Sequence, residues 1–482
     1  MIINGLRIYT LDNGRIASSM TVEKGRIKEL REEPIQAGIR GYILPGFIDS
    51  HVHLLDVGLR SVFPFLQGAE CLEDIYERLL DGYKRAKDLG FIVGWDFEEE
   101  RIREKRVPHR EELDRVVKEI PLIVLRRDGH SSFLNTKSFE RIFKEEYSGI
   151  ELDKYKEPTG VVRGEANEEV LRYIRRNLPR EVIVEAYTIA SQEAISKGIT
   201  TLAALVGSDD PEDKSCEILL EIRDKLKIDT IPFYQTTDID RVRRLGLERI
   251  GGCILIDGSF GSHTAALRQG YKDDPENRGV LYFSDEELFR FLKSADDASL
   301  QTAVHAIGDR AVEQVVKVYE RFLRDNPLRH RIEHAELLDE GLIERIARLG
   351  LILSVQPTFE RLWGKNMYRE RLGERADKTN PFKRLIEAGV LIIGGSDAPI
   401  TPLDPLLGIS SATNHPNPSL SLSRLEAIEL FTTKAAYGIF KEGEIGRLKT
   451  GFWADFCVLD SDPLKGEAKI LEVYKKGERV FP

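Results

Sequence analysis

His51 and His53 stand two residues apart at the end of Pro45-Gly46-Phe47-Ile48-Asp49-Ser50-His51-Val52-His53. On an extended strand, side chains two apart point the same way, so this spacing offers two imidazoles to one ion. Neutral imidazole suits zinc, iron, nickel or manganese. A bare His-x-His is a weak signal, but a strand end that follows a Pro-Gly turn strengthens it. Two further histidines close short apolar runs of the same character, Thr302-Ala303-Val304-His305 and Arg331-Ile332-Glu333-His334. They lie 29 residues apart, about the length of one strand–helix unit. Asp397 closes Leu391-Ile392-Ile393-Gly394-Gly395-Ser396-Asp397, a further 63 residues on. Packing or surface histidines and a helix-capping aspartate would have no reason to fall at strand ends together. Several histidines and one carboxylate form the donor set of a catalytic metal site, in which an ion acidifies water and polarises a carbonyl.

Eight apolar runs can carry these residues: Phe47 to His53, Ile199 to Leu205, Thr230 to Tyr234, Cys253 to Asp257, Thr302 to Ala306, Arg331 to His334, Leu351 to Gln356 and Val390 to Asp397. Amphipathic helical stretches separate them. The pattern predicts an α/β fold, a (β/α)8 TIM-like barrel over residues 46–439, with chemistry at the C-terminal ends of its strands. His51 and His53, His305, His334 and Asp397 then fall on strands one, five, six and eight. About 140 residues separate the first strand from the second. The stretch of about 60–190 contains its own strand candidate, Leu122 to Leu125, and is expected to be an inserted subdomain over the barrel mouth. Residues 1–45 and 440–482 alternate short strands with Asn-Gly and Lys-Gly turns. Neither segment has enough strands to bury a face alone, so one small β-sandwich domain built from both ends is expected.

Composition limits the remaining choices. Of 482 residues, 32% are charged, above the roughly 25% of ordinary soluble domains. Methionine numbers three and cysteine four, a bias associated with a thermophilic source. The net charge of −10 gives no electrostatic reason for a nucleic-acid or anionic-membrane partner. Cys71, Cys216, Cys253 and Cys457 make no CxxC pair, so neither a disulfide scaffold nor a structural zinc knuckle is expected. No apolar run approaches a membrane span, and no leader pattern opens the chain. A cytoplasmic protein acting on a small molecule, with a homodimer as the candidate assembly, is the resulting expectation.

The flanking motifs carry a resemblance. The order HxH, His, His, Asp is similar to that of the amidohydrolase superfamily. So are Arg127-Asp128-Gly129-His130-Ser131, Thr159 to Ala166 around Arg163-Gly164-Glu165, Asp257-Gly258-Ser259, His305-Ala306-Ile307-Gly308-Asp309, Arg331 to Ala335 and Gly395 to Pro399. The chain resembles, nearly end to end, the branch that includes N-substituted formamide deformylase and YtcJ-like metal-dependent hydrolases. The resemblance implies a divalent metal, zinc before others, as one or two ions on His51, His53, His305, His334 and Asp397. It departs at one place: where this branch commonly has a bridging lysine on the fourth strand, the chain has Cys253. A second ion then needs another bridge. Glu165 is the first candidate, while Cys253 reads before all else as an inert small buried residue, its thiolate being the other possible bridge.

Residues around the expected mouth are weaker candidates for contacting substrate: His130, Asp128, Arg163, Asp257, His263 and Trp363, each of which equally suits a structural role. His109, His330 and His415 are expected at the surface. The implied reaction is hydrolysis of an amide-type C–N bond, with Asp397 as general base and His130 or His263 assisting the oxyanion. Alternatives are a mononuclear deaminase or a cyclic-amide hydrolase of imidazolonepropionase or dihydroorotase type, and a non-catalytic assembly protein.

Overall fold

A computed structural model of the protein describes all residues except 33–40, 87–88, 128, 130 and 145–146. The chain divides into two compact units: Met1–Leu54 with Ser191–Asp209 and Leu220–Pro482, and Leu55–Ala190 with Asp210–Leu219.

The first unit contains an eight-stranded parallel sheet. Its strands, numbered 1 to 8 in chain order, are Phe47–Val52, Ile199–Val206, Asp229–Tyr234, Arg249–Leu255, Gln301–Ala306, Arg331–His334, Ile352–Val355 and Ile392–Gly394. Strands 8 and 1 close the barrel. Val52 bridges Ala398 in parallel, and the Asp397 N–H donates to His51 O at 2.8 Å. Below that, the Asp49 carboxylate accepts the Ser396 N–H at 3.0 Å, joining residues 347 apart in sequence. Every residue of strands 1, 2, 5 and 6 is buried, as a parallel sheet covered on both faces requires. A Cβ on Gly46 would collide with the Thr200 side chain, so glycine lets strand 1 lie close against strand 2.

Helices return the chain from strand to strand, with ends set by local chemistry. Asp285–Asp297 begins in a capping box between Ser284 and Glu287. Glu340–Leu349 is capped by Asp339 and ends on Gly350 at φ 65°. Asp309–Glu320 buries Ala311, Val312, Val315, Val316 and Tyr319 as one stripe.

Strand 4 differs from the expected run. It starts at Arg249 rather than Cys253 and passes through Gly251 and Gly252, whose φ angles are 93° and 105°. The glycine pair reads as a turn in sequence; in the fold it is a bulge, with a register shift against strand 5 between Gly251 and Leu255. A Cβ at Gly251 would strike the Ala303 carbonyl.

The same unit contains a seven-stranded sheet drawn from both ends of the chain. Its order is Glu478–Phe481, Ile470–Lys475, Phe456–Leu459, Tyr42–Pro45, Ile2–Tyr9, Ile16–Glu23 and Arg26–Arg31. Ile8, Met20, Ile27, Ile43, Leu448 and Phe456 form its apolar core.

The second unit has a five-stranded sheet ordered Ile92–Phe97, Leu122–Arg126, Ser131–Leu134, Pro158–Arg163 and Ile150–Leu152. Asn135 pins its centre. The side chain accepts from Leu122 N–H at 3.0 Å and Ser138 N–H at 2.9 Å, and donates to Val117 O at 2.8 Å and Ile120 O at 3.0 Å. Among the described residues, no helix is long and apolar enough to cross a membrane.

Candidate metal centre

At the C-terminal rim of the barrel, ligand atoms of three overlapping groups come within 4.8 Å of one another: His51, His53 and Cys253; Cys253, His305 and His334; His51, His334 and Asp397. Strand 1 delivers His51 and His53 on one side by plain alternation. Strand 6 delivers more than alternation allows. Glu333 and His334 are neighbours and should face opposite ways, but His334 has φ 70° and Ala335 φ 48°. The pleat breaks there, and both side chains meet the site. Asp397, at φ 56°, makes the same departure at the end of strand 8. Non-glycine residues hold such angles at a cost of about 1–3 kcal/mol each when surrounding structure imposes them.

Three of the four candidate ligand histidines have one ring nitrogen held by the protein. His51 Nδ1 lies 2.5 Å from Glu333 Oε2. His334 Nδ1 lies 2.7 Å from Gln356 Oε1. His305 Nε2 lies 3.1 Å from Gly258 O, and its Nδ1 faces Cys253 Sγ at 3.8 Å. Such outer partners fix the tautomer and present the other nitrogen to an ion. The atoms presented are the ones left over. His51 Nε2, His334 Nε2 and Asp397 Oδ1 are buried without a hydrogen-bond partner. Buried polar atoms are normally satisfied, so three orphans aimed at one point fit a cation. His51 Nε2 and His53 Nε2 stand 3.0 and 3.3 Å from Asp397 Oδ1.

The electrostatics agree. Burial raises the Asp397 carboxyl, but the His51 charge and the close approach of the His51 and His53 imidazoles hold it far below the usual range. Burial disfavours charge on His53, yet hydrogen bonds to Asp397 and Cys253 push it up to about 10. Burial likewise opposes protonation of His305, which Cys253 and Asp257 raise to about 9. Burial and the His305 charge lower His334. The pocket therefore attracts positive charge, as protons or as a metal ion competing with them.

Several supports of this arrangement were not singled out in the sequence. Arg331 is fully buried, pairs with Glu333, and donates to Ser50 O at 2.5 Å. A charged pair at alternate positions of a strand buried on both faces is a signal in itself, because such charges persist only when paired. Asp257, which the sequence offered as a candidate substrate contact, is fully buried and plays a supporting part instead. Its carboxylate accepts from Ala266, Ile307 and Gly308 N–H at 2.7, 2.9 and 2.8 Å and so ties the loop after strand 4 to the end of strand 5.

The other sequence candidates take varied places. His263 is bound through Nε2 to Asp273 at 3.0 Å and packs edge-on to Tyr271. Trp363 is half-buried against Phe359, which stacks on His334 with centroids 5.9 Å apart. In the second unit, Glu165 is exposed and accepts from Ser148 Oγ at 2.7 Å, while Arg163 is exposed and pairs with Glu151 at 2.9 Å. Asp128 and His130 lie outside the described residues.

Cys253 lies among the candidate ligand histidines: burial raises its thiol, but the imidazoles of His305, His334, His51 and His53 outweigh this and hold it well below its ordinary value. Two expectations are corrected. His330 and His415 are buried rather than at the surface. His330 is bonded to Thr302 Oγ1 at 2.8 Å and Asp296 at 3.1 Å. His415 lies against Asn417 O and Thr379 O. Local partners satisfy both rings, which makes burial inexpensive. His109 is exposed and caps the helix Arg110–Val116.

The amidohydrolase family model matches residues 41–481. The chain belongs to the amidohydrolase family. YtcJ of Bacillus subtilis, a protein named as an amidohydrolase, is 30% identical over 97% of this chain and 96% of its own length. The N-substituted formamide deformylase of Arthrobacter pascens is 26% identical over 90% of this chain and 86% of its own. A metal-dependent hydrolase from Pyrococcus horikoshii has the same fold, with TM-score 0.81 and 26% identity over 97% of this chain and 98% of that one. The amidohydrolase fold thus covers the barrel and the terminal sheet alike, and this family member is a hydrolase with a candidate His/Asp metal site.

Proposed function

We propose that this amidohydrolase cleaves an amide-type C–N bond in a small molecule, with N-formyl and N-acyl amines the first class of substrate. The observation that carries the reading is the gathering of His51, His53, His305, His334 and Asp397 in three overlapping groups, in which His51 Nε2, His334 Nε2 and Asp397 Oδ1 are buried without a hydrogen-bond partner. The similarity to a formamide deformylase supports the substrate class. A divalent ion held by these residues, zinc by the chemistry of the donor set, supplies the Lewis acidity that makes water nucleophilic near neutral pH.

The chain's own groups do the rest. Asp397 is ionised and held beside His51 and His53, so Oδ1 takes the proton from the attacking water and returns it to the leaving nitrogen. Glu333, Gln356 and Gly258 O hold the three imidazoles in fixed tautomers while charge develops. Trp363 and Phe359 give the substrate an apolar wall beside His334. His263 is engaged with Asp273 and in this reading orders the loop after strand 4.

The test is a panel of N-formyl amines, N-acyl amines, cyclic amides and esters, assayed for released amine or acid with metal analysis alongside. Chelator-sensitive amine release is expected. His51→Ala with His53→Ala should lose both the ion and turnover. Full metal retention by that double variant, or turnover confined to esters, would overturn the reading.

A further inference from the structure

We propose that Cys253 is a metal ligand that bridges two ions, one held with His51 and His53 and the other with His305 and His334. The proposal rests on the metal-dependent reading above and adds what that reading leaves open, the number of ions and the group between them.

The geometry points to Cys253 from several sides. It is the one residue common to both three-membered groups His51–His53–Cys253 and Cys253–His305–His334. Asp397 belongs to the third group, with His51 and His334, so among the described residues the only anion-forming side chains in these groups are Asp397 and Cys253. Two dications about 3.5–4 Å apart, as in two-metal hydrolytic sites, require an anion between them. Asp397 sits on the strand 1 side, within 3.3 Å of both His51 and His53, which leaves Cys253 for the central place. A thiolate serves there, because it is the metal-binding form of cysteine.

The fold places this sulfur deliberately. Cys253 packs against the apolar cluster that includes Ile48, Ala203, Leu205 and Ala303. Its sulfur faces His305 Nδ1 at 3.8 Å. The bulge at Gly251 and Gly252 precedes it directly, and bulges re-aim the side chains that follow them. Independent of the cysteine, His51 Nε2, His334 Nε2 and Asp397 Oδ1 are buried without a hydrogen-bond partner and lie within 4.8 Å of one another. Cys457 shows what an inert cysteine looks like in this fold. It is fully buried, its sulfur lies 3.6 and 3.9 Å from the backbone oxygens of Pro45 and Gly198, and it joins no metal-capable group among the described residues.

The test uses full-length protein stripped of metal and titrated with Co(II), then separately with Zn(II). Wild type should bind two equivalents and develop a near-ultraviolet sulfur-to-cobalt charge-transfer band. Cys253→Ser and Cys253→Ala should lack the band and retain one tightly bound ion. Cys457→Ala should keep both. Should the Cys253 variants fail to fold, the wild-type spectrum and its stoichiometry still decide. Two bound Co(II) without a thiolate band, or two ions retained by Cys253→Ala, would overturn the bridge and leave the hydrolase reading standing. Failure of wild type to bind Co(II) or Zn(II) would overturn both.

Discussion

Strand 6 has a histidine at each end, and both are buried: His330 just before its first residue and His334 at its last. At the N-terminal end of the barrel, His330 has both nitrogens spent, Nδ1 on Thr302 and Nε2 on Asp296, and its ring stacks on Tyr319. At the C-terminal end, His334 has one nitrogen on Gln356 and the other on nothing. Burial is equal; satisfaction is not. A buried imidazole with two partners is structure, and one with a single partner and a free nitrogen facing other free donors is a candidate ligand.

The comparison can be broken most severely at Asp397. Asp397→Asn keeps the shape and one oxygen but removes the proton acceptor, so turnover should fall by about 10²–10⁴-fold while bound metal persists. A variant that keeps both its metal and most of its activity would show that another group is the base. A milder probe is Gln356→Met, which preserves length and removes the acceptor that orients His334. Metal affinity should drop by about 10–100-fold, with little change in stability. Glu333 is a poorer choice, because it also neutralises buried Arg331 and its removal would confound affinity with folding.

His330→Asn should do the reverse. Metal affinity should hold, whereas stability should fall by about 1–3 kcal/mol because Thr302 and Asp296 lose a partner. Its pH dependence sharpens the contrast. Burial lowers the pKa of His330 below the ordinary 6.5, with Asp296 opposing in part. The unfolded chain then takes the proton more readily than the folded one, so this residue's contribution weakens as pH drops from about 6.5 toward the lower folded value. The variant should lose that slope in urea melts between neutral and mildly acidic pH. An unchanged slope would show that His330 does not titrate as its surroundings imply.

The sequence could reveal the candidate ligands because each lies where period-two alternation meets a strand end, and eight such ends are countable. It could not reveal that Glu333 and His334 both serve the site, since alternation assigns neighbours to opposite faces and only the left-handed turn at His334 defeats it. The run that begins at Cys253 in sequence begins at Arg249 in the fold for a related reason. Glycine pairs read as turns, and a bulge inside a strand uses the same residues. In the insert only Leu122 to Leu125 was apolar enough to stand out; strands such as Pro158–Arg163 contain Pro, Gly and Arg and are recognisable only once paired. No local pattern separates His330 from a surface histidine, because its partners Thr302 and Asp296 come from distant parts of the chain.

The seam between strands 8 and 1 has a consequence for the order of events during synthesis. Asp49 holds Ser396, and His51 O holds Asp397, across nearly the whole length of the barrel. Contacts so far apart in sequence close late, since the intervening chain must be ordered first. A ribosome that has made the first histidine pair has made only two donors, and His305, His334 and Asp397 are still hundreds of residues from being translated. An ion held by the complete set would therefore be captured only after Asp397 has been made and the seam has closed, and would report a barrel that has finished closing.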